Sequence, residues 1–198
     1  MRKLAIILAS AAALGACSSN QAAEPAPVAA VDPNNPLMAP GYLAMAGSSD
    51  QFEIQSGQLA QQMSQNPQVR AFGAMLVTDH TRSTQMLMAA AQSAGVTAPP
   101  PMLMPDHQAM LDQLRAAGAG PAFDAAFAQA QVTAHQQALQ LHQNYAASGD
   151  VPALKAVAGQ LVPVVQMHLQ QAQAMAAMPP PPPPAMTPPP VGRSGERG

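Results

Sequence analysis

Asp79 and His80 stand side by side between two apolar runs, in the stretch FGAMLVTDHTRSTQMLMAAA. Turning about 100° per residue gathers Arg70, Thr78, Arg82, Gln85 and Gln92 on one side of a helix. Asp79 and His80 then fall in the middle of the opposite arc, among Val69, Phe72, Leu76, Leu87 and Ala90. A second seam, Asp124, Gln131, His135 and His142, recurs farther on between Phe123, Phe127, Leu141 and Tyr145 on one flank and Val132 and Leu139 on the other. His168 is centred among Leu154, Val157, Leu161 and Val164, and Glu53 lies at the edge of an apolar face with Ser56 at its centre.

A buried polar group without a partner costs a few kcal/mol, and an unpaired buried charge costs more. These residues are therefore expected to meet one another. The plainer arrangement is a hydrogen-bonded polar layer in which carboxylates orient histidines. The sharper one is a metal site, because histidine and carboxylate from facing helices are how bundles hold metals. The E-x-x-H pair of di-iron bundles is missing, so the polar layer is the preferred reading and no cofactor is assigned. A divalent metal or copper ion is the alternative, held among Glu53, Asp79, His80, Asp124, His135, His142 and His168. His107, beside a proline-rich loop, reads as exposed. The 14 methionines invite a copper reading through their soft thioethers. Met86 and Met88 are two apart, hence on different faces, and adaptable core filling explains methionine better.

The elements that must carry these residues are helical. The pattern predicts helices over about 41–64, 67–95, 106–117, 122–148 and 152–177. Asn66 serves as an N-cap, Pro67 sits in a first turn, and Pro163 predicts a kink. No alternating strand pattern appears. The expected fold is an all-α four-helix bundle with one short extra helix.

The ends of the chain point to export. Arg2-Lys3 precede an uncharged apolar run, Leu4 to Ala16, of about 13 residues, against roughly 20 for a membrane span. Residues 1–16 read as a signal peptide. Leu14-Gly15-Ala16-Cys17 resembles a bacterial lipobox, with Cys17, the sole cysteine, as the lipidated residue. Ser18 in place of Asp points to the periplasmic face of the outer membrane. Residues 17–40 read as a tether, 41–178 as the bundle, and 179–198 as a disordered proline-rich tail of extended polyproline character.

Charge narrows the partners. Net charge is −2 and aromatic residues make up 3%, so neither a basic stripe nor a base-stacking platform is present, and nucleic acid is not expected. The membrane is the expected partner, through the lipid anchor, with an envelope protein or a reader of polyproline as a further one. No serine elbow, catalytic cysteine or phosphate loop is found, so an enzyme is not expected. The functional expectation is an envelope lipoprotein whose bundle is a binding or structural module. A metal-binding bundle for storage, buffering or stress protection is the alternative.

The runs DQFEIQSGQLA, NPQVRAFGAMLVTDHTRSTQML, FDAAFAQAQVTAHQQAL and LVPVVQMHL resemble the domain of unknown function 4142 family, over about residues 41–174. The resemblance implies an exported bacterial protein with a ferritin-like four-helix fold, and names no substrate. The family pattern falls on Glu53, Asp79, His80, Phe123, Asp124, His135 and His168, and His142 lies outside it.

Overall fold

Proline opens every helix of the described chain. The computed structural model describes residues 32 and 34–178. Its helices are α1 (Ala39–Met63), α2 (Pro67–Ser93), α3 (Pro105–Ala116), α4 (Pro121–Ser148) and α5 (Pro152–Ala176). Each has proline at its first or second position, where the missing N–H has no intrahelical partner to lose and the fixed φ already suits a helix. Asn66 caps α2, its Oδ1 accepting from the Gln68 N–H at 2.9 Å. The stretch read as a signal peptide (1–16), Cys17 with most of the stretch read as tether, and the proline-rich stretch 179–198 lie outside the described residues. Helix α1 begins just inside the stretch read as tether. Asn35 builds a turn ahead of it, its side chain accepting from the Leu37 N–H and its carbonyl from the Met38 N–H, both at 3.0 Å.

Short links at 64–66 and 149–151 make α1–α2 and α4–α5 antiparallel hairpins. The hairpins pack with α1 on α4 and α2 on α5, and α3 runs back over α1 and α4. Gly120 N–H donates to the Met63 carbonyl (2.9 Å) at one end of the bundle, and Asp150 N–H to the Leu37 carbonyl (3.2 Å) at the other. The all-α bundle with one short extra helix is the fold the periodicity predicts. Helix α5 runs through Pro163 without a break. Pro163 and Gly159, whose carbonyl loses its donor, are both exposed, so water can take the lost bond. No described helix is long and apolar enough to cross a membrane.

Helices α1 and α2 meet backbone to backbone at a glycine pair. A Cβ on Gly73 would lie 2.6 Å from the Gly57 carbonyl oxygen and 2.8 Å from the Ala60 Cβ. Gly73→Val must push the hairpin apart, and overpacking of this kind costs roughly 1–3 kcal/mol. Urea unfolding of the variant reads that loss, and an unchanged midpoint would contradict the close approach.

The apolar core comes in two parts. One gathers Tyr42, Leu43, Leu87, Tyr145, Leu154 and Leu161, and the other Phe52, Phe72, Leu76, Phe123 and Phe127. Buried polar side chains from α1, α2, α4 and α5 lie near mid-bundle, and on α2 and α5 they fall between the two parts in sequence.

Candidate metal centre

Three imidazoles meet in that layer, one each from α2, α4 and α5. The rings of His80, His135 and His168 have centroids 5.3–5.7 Å apart, and each residue is 5% exposed or less. Each offers one nitrogen within 4.8 Å of those of the other two. The remaining nitrogen of each ring is tied to a different acceptor. His80 Nδ1–H donates to Asp50 Oδ1 (2.8 Å), His135 Nδ1–H to the Gln131 carbonyl (2.9 Å), and His168 Nε2–H to Asp79 Oδ2 (3.0 Å). These bonds fix ring orientation and leave His80 Nε2, His135 Nε2 and His168 Nδ1 without a partner.

Buried polar atoms are almost always partnered. Among the described residues seven buried side-chain N or O atoms are not, and six belong to this layer: those three nitrogens, both oxygens of Glu53 and Gln131 Oε1. Left unmatched, each such atom costs about 1–3 kcal/mol. Glu53 Oε1 stands 3.5 Å from His135 Nδ1. Ser56 and Gln131 complete the layer, Gln131 Nε2 donating to Ser56 Oγ at 2.9 Å.

Electrostatics separate the three rings. Burial pushes His135 down to about 3, helped by the neighbouring His80 and His168, so its imidazole is neutral. Burial also holds His168 down, with His80 adding to it and Asp79 opposing. At His80 burial pulls downward as well, but the Asp50 hydrogen bond and the charges of Asp50, Glu53 and Asp79 outweigh it, and the net direction is up. Burial raises Glu53 to about 7, against the pull of His80 and Gln131. The layer can thus offer neutral imidazole nitrogens from His135 and His168, while its carboxylates hold His80 toward its protonated form, beside a carboxyl group that ionises near neutrality.

The structure brings together only part of the expected set. His80, His135, His168 and Glu53 lie in the layer. Asp79 is not fully inward: its side chain is 32% exposed, because one step of 100° from His80 carries it to the rim facing α5, where it reaches His168. Asp124 stands apart in the first turn of α4, in a hollow with Gln65, Asn66 and Gly120, roughly 16 Å of helix from His135. His107 is half-buried rather than exposed. It stacks on Phe52 (5.5 Å, 17°) and accepts from Ser48 Oγ at 2.6 Å, which ties α3 to α1.

His142 is buried two helical turns beyond His135, where the Tyr42 hydroxyl donates to its Nδ1 at 2.9 Å. Burial pushes it down to about 4. Between pH 6.5 and about 4 the unfolded chain takes up a proton there and the folded chain does not. The stability this residue contributes is therefore present above pH 6.5 and lost as pH falls through that window. Denaturant unfolding at pH 7 and pH 4.5 reads the loss. His142→Gln should flatten it by roughly 2–3 kcal/mol, and an identical pH slope would contradict the assignment.

Asp50 is the residue sequence reasoning missed. It is 2% exposed, holds His80 through Oδ1, and accepts from Thr84 Oγ1 at 2.9 Å through Oδ2. The available signal was its place three residues before Glu53, on the same side of α1.

No curated protein matches the chain. The sequence profile described as "Domain of unknown function (DUF4142)" matches residues 22–175. Among solved structures, CopM in the Cu(II)-bound form superposes with a TM-score of 0.59 at 19% identity, covering 70% of this chain and 95% of that one. CopM in the Ag-bound form gives 0.56 at 17% identity, over 69% and 93%. Likeness at these identities is one of fold.

Proposed function

The chain belongs to the DUF4142 family, a domain of unknown function, and from that premise we propose that its bundle binds a copper ion in the layer of His80, His135 and His168. The observation that carries the reading is the division of labour on each ring. One nitrogen is fixed by a carboxylate or carbonyl, and the other is left bare beside two more like it. Imidazole suits copper and zinc, and copper stands above zinc in the affinity order of divalent ions. The fold neighbours are Cu(II)- and Ag-bound, which makes copper the first ion to test. His80 Nε2, His135 Nε2 and His168 Nδ1 would hold the ion, and Glu53 would add negative charge beside it. The ion is cargo in this reading, consistent with buffering or stress protection, and no catalytic role is assigned.

Copper analysis of the protein expressed with copper and purified without a histidine tag tests this. One equivalent per chain is expected, and none in a His135→Ala chain. Copper retained equally by both would overturn the site.

The binding module is proposed to work at the periplasmic face of the outer membrane, lipidated on Cys17. The support is the sole cysteine placed directly after a short apolar signal. Cys17→Ser should move the protein from the membrane fraction to the soluble periplasm. Persistence in membranes after a high-salt wash would contradict the anchor.

A further inference from the structure

Copper comes as Cu(I) or Cu(II), and the two ions ask for different numbers of ligands. Cu(II) takes a square-planar or tetragonal set of nitrogens and oxygens, whereas Cu(I), with a filled d shell, is satisfied by a trigonal one. Zn(II) is tetrahedral, and in three-histidine sites a water fills its fourth position. His80, His135 and His168 each offer one nitrogen within 4.8 Å of the others, and among the described residues no carboxylate or thiolate joins the group. The nearby carboxylates lie behind the rings. Asp50 and Asp79 accept from the tied nitrogens of His80 and His168, and Glu53 Oε1 stands 3.5 Å from the tied nitrogen of His135. The two nitrogens of an imidazole point away from each other, so none of these acids is placed to ligate an ion on the free side.

The fourth position is closed to solvent as well, since His135 and His168 are both 0% exposed. Between α2 and α5 the bundle has an open hollow of about 390 Å³, lined by Gln68, Met75, Gln171 and Met175, with Phe72 in its wall. Phe72 is itself buried, and its ring meets those of His168 (6.1 Å, 87°) and His135 (6.4 Å, 40°). One aromatic ring thus touches both the hollow and two of the three imidazoles. A doubly charged ion in so dry a place is penalised more than a singly charged one, because the desolvation cost rises with the square of the charge.

We propose that the layer is selective for Cu(I): three imidazole nitrogens complete its trigonal set, and Phe72 denies Cu(II) and Zn(II) the water each would need as a further ligand. This rests on the copper reading of the layer, and it makes Phe72 a specificity-determining residue that touches no ion. Binding is an exchange of ligands. Any proton on His80 Nε2 leaves to solvent as the ion arrives, and no electron is transferred.

The experiment is a set of competition titrations on the full chain, purified without a histidine tag. Cu(I) is offered anaerobically against bicinchoninate and Cu(II) against nitrilotriacetate, with Ag(I) and Zn(II) as the monovalent and divalent controls. Cu(I) should bind at least about a hundredfold more tightly than Cu(II), which raises the potential of the bound ion by about 120 mV over the free couple. Ag(I) should follow Cu(I), and Zn(II) should follow Cu(II). Phe72→Ala should tighten Cu(II) and Zn(II) about tenfold or more by admitting water, with Cu(I) little changed. A native chain that prefers Cu(II), or favours Cu(I) by less than about tenfold, overturns the selectivity and leaves the histidine site standing. That arm decides the matter even where Phe72→Ala does not fold. A folded Phe72→Ala chain with the native ratio overturns the sealing role of Phe72. Cu(I) binding undiminished in His135→Ala overturns the site itself, and the selectivity with it.

Discussion

Copper at a hundredfold excess over its dissociation constant raises the unfolding free energy of the native domain by about 2.7 kcal/mol, and His80→Ala abolishes that gain. The gain arises because the unfolded chain scatters three imidazoles from three helices, the outer two, His80 and His168, 88 residues apart, and cannot reassemble them. His80→Ala also acts without metal. It strips the Asp50 carboxylate of its His80 partner inside the bundle, at a cost of roughly 1–3 kcal/mol. The native domain and the variant, each melted with and without copper, separate a polar layer from a binding site. A layer that serves only as polar filling shows the variant's loss and no gain from the ion. His142→Ala, two turns away and bonded to Tyr42, should keep the copper gain in full.

Asp50→Ala should weaken copper binding by about 10–100-fold although Asp50 is not among the proposed ligands, the usual effect of removing the outer partner of a metal-bound histidine. Two hydrogen bonds go with it, from His80 Nδ1 and from Thr84 Oγ1. The His80 ring is then free to turn, and it loses the strongest of the partners that together outweigh its burial. Stability should fall by roughly 1–3 kcal/mol. Asp50→Asn keeps an oxygen that can accept from His80 and should recover much of the affinity. Isothermal titration of the three proteins checks both statements, and equal affinities would remove Asp50 from the site.

The legible part of this molecule is what helical phase encodes. Proline at each helix start and the 3.6-residue rhythm place all five helices to within a few residues, and the same rhythm turns His80, His135 and His168 inward. Phase gives angle but not height. Asp124 shares the inner seam with His135, yet eleven residues of rise put it at the end of the bundle. His142 shares the seam too and finds Tyr42 instead. Asp50 was hidden for a different reason. Helix α1 is covered on one side by its hairpin partner and α4 and on another by α3, so its residues are buried almost all round and no wet face marks which acids turn in. His107 was misplaced by the same cover: the proline-rich link that suggested exposure lays α3 against Phe52 and Ser48.

Copper K-edge X-ray absorption of the one-to-one Cu(I) complex tests the histidine site most directly. The first shell should be nitrogen or oxygen only, from His80, His135 and His168, with the multiple-scattering pattern of imidazole. That pattern should be lost in His135→Ala. A sulfur scatterer in the equilibrium complex, or an imidazole shell unchanged by His135→Ala, would contradict it, because the ion would then rest on methionine or on other histidines.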